Sequence, residues 1–219
     1  MVMARPDDPG HPVERIGNAE LLAKRGSPAS TIKVALALMA LQEKVIDLQT
    51  TYICSDRTPA PSPVTLRQAM DLSSNEFFEQ LVMNLSIPRL EQYLDQWKCF
   101  PLVEKPLPSP ARIARGKAFK LSPRDQLTFL SRLALRRLGG ISQPAYDLLD
   151  EVLEQTEKPG LFGKTGSDLE GSWFVAYSRN PAKPFICVFR SDIPNSDGKR
   201  LKQILLDHLD KNAGSIFKN

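Results

Sequence analysis

Three short clusters of polar residues stand out in chain order for what they could do chemically. They are Ser30-Thr31-Ile32-Lys33, Ser73-Ser74-Asn75 and Lys164-Thr165-Gly166. A serine hydroxyl is a weak nucleophile until a neighbouring base takes its proton. Ser30 and Lys33 lie three positions apart, the spacing that puts two side chains on one face of a helix. The lysine serves as a base only when neutral, which calls for burial or a second cation nearby. The apolar run Val34–Met39 can desolvate it, and Lys164 is a source of positive field. Backbone N–H groups at the start of that helix can hold the oxyanion of an attacked carbonyl. The pattern is one of acyl transfer by a Ser–Lys pair.

The alternatives are poorly supplied. A Ser-His-Asp arrangement needs a well-placed histidine, and the chain has two: His11 in a Pro-rich stretch and His208 near the C-terminal end. Cys54, Cys99 and Cys187 form no CxxC pair, so neither a zinc site nor a redox motif is indicated. No metal or cofactor is called for.

Elements that could position these residues are readable from periodicity. The run from Ser30 to Lys44 repeats apolar residues at helical spacing (Ile32, Leu36, Met39, Val45), with Pro28 and Ser30 suiting a helix start. Thr58–Pro63 reads as a loop. Residues 65–85 read as two helical pieces with Ser73-Ser74-Asn75 between them, because such residues favour caps and turns. Arg89–Trp97 is amphipathic, and 99–119, with four prolines, is irregular. Ser122-Pro123-Arg124-Asp125 places a cap, a proline and an acid at the start of another helix. A further helix fills about 143–156. Residues 161–167, 172–178 and 185–190 then alternate as antiparallel strands, and Lys199–Lys211 closes the chain as an amphipathic helix. The K-T-G segment thus falls on a strand whose edge could bind an extended backbone, with Gly166 leaving room for that backbone. Trp173, Phe174 and Cys187 read as core. The predicted class is α+β, a helical block followed by a small antiparallel sheet flanked by helices. Residues 1–17, rich in Pro, Gly and charge, read as a flexible lead-in to a single domain over 18–219.

The bulk numbers agree. A chain of 219 residues with 42% hydrophobic and 25% charged residues can bury a core without staples. The net charge of +4 is spread along the chain, unlike the dense basic face of a nucleic-acid binder. There is no run of apolar residues long enough for a transmembrane helix, and the first residues lack the apolar core of a secretory signal.

The three motifs, with P-A-S-T-I-K, V-T-L-R-Q-A-M and S-W-F-V-A-Y around them, resemble the class D β-lactamases and the related penicillin-binding sensor domains from about Leu21 to Lys211. The short separation of Ser30 and Ser73 is similar to class D. The resemblance implies that Ser30 is acylated with Lys33 as general base, that Ser73 relays a proton to the leaving nitrogen, and that Asn75 orients substrate or lysine. It assigns Lys164 and Thr165 to the substrate carboxylate and the N–H groups of Ser30 and Ser167 to an oxyanion hole. It implies a β-lactam or a peptidoglycan stem peptide as partner, and an extracytoplasmic location. Departures are equally specific. The Y-G-N motif falls on Cys99-Phe100-Pro101. The tryptophan that supports a carboxylated lysine has no counterpart across Ala111–Ala118. Asn75 stands where class D hydrolases usually have valine. The family's early sheet strands have no clear pattern in the residues before Ser30, so these strands are expected to be missing or replaced. Three functions remain open at this point: an acyl-enzyme-forming penicillin-binding protein, a true class D β-lactamase, or a non-catalytic interaction domain that kept the motifs.

Overall fold

The computed structural model describes residues 1–101 and 106–211. Its elements run β1 (Val2–Ala4), β2 (Glu14–Arg15), α1 (Lys33–Gln42), β3 (Thr51–Cys54), β4 (Ser62–Thr65), α2 (Leu66–Leu72), α3 (Asn75–Leu85), α4 (Ile87–Trp97), α5 (Pro110–Ala114), α6 (Pro123–Ala134), α7 (Gln143–Leu153), β5 (Glu154–Gln155), β6 (Lys158–Asp168), β7 (Gly171–Ser178), β8 (Phe185–Ser191) and α8 (Gly198–Lys211). A 3-10 turn, Ala29–Ile32, leads into α1. The expected helical block and antiparallel sheet are both present.

The main sheet has the order β2-β1-β8-β7-β6-β5. Its centre, β7, is buried along its whole length. Successive side chains of a strand point to opposite faces, and β7 uses both. Trp173, Val175 and Tyr177 pack on the helical block, while Phe174 and Ala176 pack with Leu201, Leu205 and Leu209 of α8. Cys187 is fully buried on the α8 side, as a small apolar residue would be.

Two expectations require correction. Residues 1–17 are not a free lead-in. Val2–Ala4 is fully buried and pairs with β8 (Val2 opposite Val188, Ala4 opposite Ile186), and β2 pairs on its outer side. The early strands are therefore present. They escape a periodicity reading because three residues carry no period, and the Pro-, Gly- and charge-rich stretch after them dominates the composition. The second correction concerns Thr58–Pro63. Its end belongs to a hairpin in which Thr51–Cys54 pairs with Ser62–Thr65. Pro63 weakens the strand pattern.

Helix α1 runs through the middle of the block. All its residues from Lys33 to Leu41 are buried, so it is apolar around its circumference and not on one stripe. α6 starts as its sequence indicates: Ser122 Oγ accepts from the Asp125 N–H at 3.1 Å, and Asp125 accepts from the Ser122 N–H at 2.9 Å.

Candidate active site

Ser30 occupies the 3-10 turn and Lys33 is the first residue of α1. With three residues per turn, side chains at i and i+3 eclipse. Lys33 Nζ accordingly lies 3.2 Å from Ser30 Oγ. Lys33 is the only charged residue of α1, and 0% of it is exposed.

The turn is braced from three sides. Ala29 has φ of 47°, unfavourable for a residue with a Cβ. Its N–H donates to Ser27 Oγ at 3.2 Å, and Trp173 Nε1 donates to the Ser27 carbonyl at 2.9 Å. Gly116, at φ 74°, packs so tightly that a Cβ there would fall 2.6 Å from the Ala29 oxygen. Gln126, buried on α6, donates to Thr31 Oγ1 at 2.8 Å.

The second cluster is shaped by a backbone reversal. Helix α2 ends on Ser73 in the left-handed region (φ 58°, ψ 35°). Ser74 then caps α3, its Oγ accepting from the Phe77 N–H at 3.1 Å. The Ser73 carbonyl and the Asn75 amide thereby meet the same amine. Lys33 Nζ donates to Ser73 O at 2.7 Å and to Asn75 Oδ1 at 2.8 Å. From β6, Lys164 Nζ donates to Ser73 Oγ at 2.8 Å and to the Thr165 carbonyl at 2.8 Å. Ser30, Lys33, Ser73, Asn75 and Lys164 are thus one hydrogen-bonded chain.

Burial is the larger cause, and the Lys164 charge the next, of a Lys33 pKa lowered to about 6; Asp56 pulls the other way. Lys164 is also lowered by burial, to about 7, with Asp71 opposing and Lys199 reinforcing the shift. For Lys33, burial and the Lys164 charge both favour the neutral form. Its neutral amine has two N–H bonds for Ser73 O and Asn75 Oδ1, which can only accept. That leaves its third direction, 3.2 Å from Ser30 Oγ, for a lone pair that could take the hydroxyl proton.

Thr165, Gly166 and Ser167 continue along β6. Strand β5 pairs only with Lys158 and Phe162, so beyond Phe162 that edge of β6 has no strand partner among the described residues. Gly166 is close to protein backbone and not only to open groove. A Cβ on it would lie 3.0 Å from Pro28 O and 3.1 Å from Ser30 N, so glycine is what lets β6 reach the turn that carries Ser30. Ser167 Oγ accepts from the Gly198 N–H at 2.9 Å and ties the start of α8 to this strand. A cavity of about 420 Å³ adjoins Lys164 and Thr165, with Arg67, Asp71, Gln155 and Lys199 among its walls. The two histidines lie elsewhere: His208 pairs with Glu14 at 2.9 Å and His11 with Asp8 at 2.8 Å.

Sequence reasoning missed the supporting shell of Asp56, Gly116 and Gln126. Asp56 follows a hairpin strand, and no local pattern marks what it holds.

The penicillin-binding-protein transpeptidase domain family matches residues 3–99. Regulatory protein BlaR1 of Bacillus licheniformis is 26% identical over 208 residues, 90% of this chain and 34% of that protein. Beta-lactamase OXA-1 of Escherichia coli is 24% identical over 182 residues, 73% of this chain and 64% of that protein. Among solved structures, a class D β-lactamase from Bacillus subtilis superposes with a TM-score of 0.82 at 22% identity, covering 100% of this chain and 92% of that one. The C-terminal domain of the Bacillus licheniformis BlaR penicillin-receptor gives a TM-score of 0.74 at 24% identity, covering 91% and 84%. The chain has the fold of the class D β-lactamases and is similar in sequence to BlaR1 and OXA-1. It spans about a third of the length of BlaR1 and under two thirds of OXA-1. No helix among the described residues is long and apolar enough to cross a membrane.

Proposed function

We propose that the protein forms an acyl-enzyme through Ser30 with β-lactams or with D-Ala-D-Ala-like peptides. The observation that carries this reading is the contact of a buried Lys33 amine with Ser30 Oγ at 3.2 Å, its other two directions filled by acceptors. Ser30 Oγ bonds to the substrate carbonyl carbon while its proton passes to Lys33. The oxyanion sits against the N–H groups of Ser30 and Ser167, a reading supported by the close packing of Gly166 on the Ser30 nitrogen. As the carbonyl carbon–nitrogen bond breaks, the nitrogen takes the Ser73 hydroxyl proton, and the Lys164 ammonium beside it replaces that proton. The leaving group then lies on the Lys164 side, where Thr165 and Lys199 can meet a carboxylate. The bare edge of β6 suits an extended backbone or its β-lactam mimic.

Intact-mass measurement after incubation with a penicillin tests the reading. One penicilloyl adduct per chain, lost in Ser30→Ala, is expected. An adduct that survives the substitution would move the nucleophile elsewhere. Absence of any adduct on the folded wild type would leave an interaction domain. Rapid multiple turnover would make the protein a hydrolase.

A further inference from the structure

The Ser73–Asn75 stretch is held from outside by a residue that none of the three motifs contains. Asp56, after β3, accepts from Ser74 Oγ at 2.6 Å through one carboxylate oxygen. Its other oxygen accepts from the Asn75 N–H at 2.6 Å and the Glu76 N–H at 3.4 Å. The contact is returned, since Glu76 accepts from the Ser55 N–H at 2.6 Å and from Ser55 Oγ at 3.0 Å. A carboxylate in this place also meets the positive end of α3. Two reciprocal carboxylates therefore latch the β3–β4 hairpin onto the first turn of α3. That turn carries Asn75, whose side chain meets Lys33.

We propose that Asp56 is a positioning residue for the base: its carboxylate fixes where the Ser73 carbonyl and the Asn75 amide stand against Lys33, and balances the charge around that amine. The inference rests on the reading of Lys33 as the general base. Among the described residues the hydrogen bonds of Asp56 go to Ser74, Asn75 and Glu76, so its action passes through the loop it holds and through its field. The charges facing Lys33 come from three elements: Lys164 of β6, Asp56 and Arg57 after β3, and Arg115 after α5. Glu76, on α3, is engaged by Ser55. In that set Asp56 is the anion that favours the ammonium form, and the three cations oppose it.

Asp56→Asn keeps the shape and an acceptor oxygen but removes the charge, while Asp56→Ala removes both. The full chain, labelled with carbon-13 at the lysine ε positions, is titrated by NMR with the Lys33 signal assigned by its loss in Lys33→Met. Both Asp56 variants should lower the Lys33 midpoint, because the ammonium loses its nearby anion. Asp56→Ala should also slow penicillin labelling by about tenfold or more, the scale of a lost charged hydrogen bond, and Asp56→Glu should recover part of it. A merely structural role would lower the melting temperature without moving the midpoint. An unchanged midpoint in folded Asp56→Asn overturns the proposal, and this variant carries the test if Asp56→Ala does not fold. The NMR midpoint needs no substrate. A wild type that takes no label would overturn acyl transfer at Ser30, while the midpoint still decides on Asp56.

Discussion

Lys164 Nζ and Ser73 Oγ stand 2.8 Å apart, 91 positions distant in sequence, and Lys33 holds the carbonyl of the same serine at 2.7 Å. Ser73 therefore joins two buried lysines, one through its hydroxyl and one through its backbone. Neighbouring cations in a dry site compete for charge, and the Lys164 charge adds to burial in favouring the neutral form of Lys33.

Replacing Lys164 tests that link. Lys164→Ala removes the proton source for Ser73 and the positive field at the leaving-group side. A group that stabilises developing charge is typically worth about a hundredfold in rate, so acylation should slow by about that factor with the fold intact. An unchanged rate in a folded variant would make the K-T-G segment a structural strand and nothing more.

The acylation rate should follow the protonation of Lys33. Only the neutral amine can accept the Ser30 proton, and burial brings its pKa down to about 6. The rate should climb as pH rises through that region and fall again above about 7, where the Lys164 ammonium that resupplies Ser73 loses its own proton. Stopped-flow labelling across pH ~5 to ~8 would show it, and a flat profile there would remove Lys33 as the base.

The same burial opposes folding. The unfolded chain keeps Lys33 protonated up to its ordinary range, near 10.5, while the folded chain releases that proton near 6. Between those values the unfolded state binds more protons, so the Lys33 contribution to stability improves as pH rises. Lys33→Met should therefore raise the melting temperature at neutral pH and abolish labelling, with a smaller gain in alkaline buffer. A lower melting temperature at neutral pH would contradict the account.

The N-terminal strand offers a structural test. Met3 is fully buried against the face covered by α8. Met3→Ala should destabilise the protein by about 2–5 kcal/mol, as truncation of a buried large side chain does. Urea denaturation would measure this, and no change would return Met3 to a mobile lead-in.

The parts of the site that were legible are those where chemistry and spacing coincide locally. Ser30 and Lys33 are linked by helical geometry, and the turn-forming Ser73-Ser74-Asn75 by its break between two helices. Lys164 was legible by type, although its partner Ser73 follows only from the fold. What holds the site was not legible. Asp56 looks like any loop acid until the hairpin brings it to α3, and Ala29 gives no sign of its positive φ until Gly116 packs against it. In the fold, long periodic segments such as α1 and β7 were readable. Val2–Ala4 was not, because its strand character comes entirely from pairing with β8.

The groups around Lys33 Nζ decide its state after acylation. Its Nζ has Ser73 O at 2.7 Å and Asn75 Oδ1 at 2.8 Å, with the Phe78 ring centroid at 5.4 Å. Both oxygens are acceptors, matched to N–H donors. Carboxylation would put an anionic group on an amine set among acceptors, where its oxygens would need donors, and desolvation without partners is unfavourable. Lys33 should remain a free amine, leaving the water that attacks the acyl-enzyme without a strong base. Deacylation should be slow and indifferent to added bicarbonate, with the Ser30 label persisting for minutes or longer. Carbon-13 NMR after labelled bicarbonate should show no carbamate at Lys33. A carbamate signal that vanishes in Lys33→Ala, together with nitrocefin turnover that rises with bicarbonate, would overturn the free-amine account and make the protein a hydrolase of the class D type.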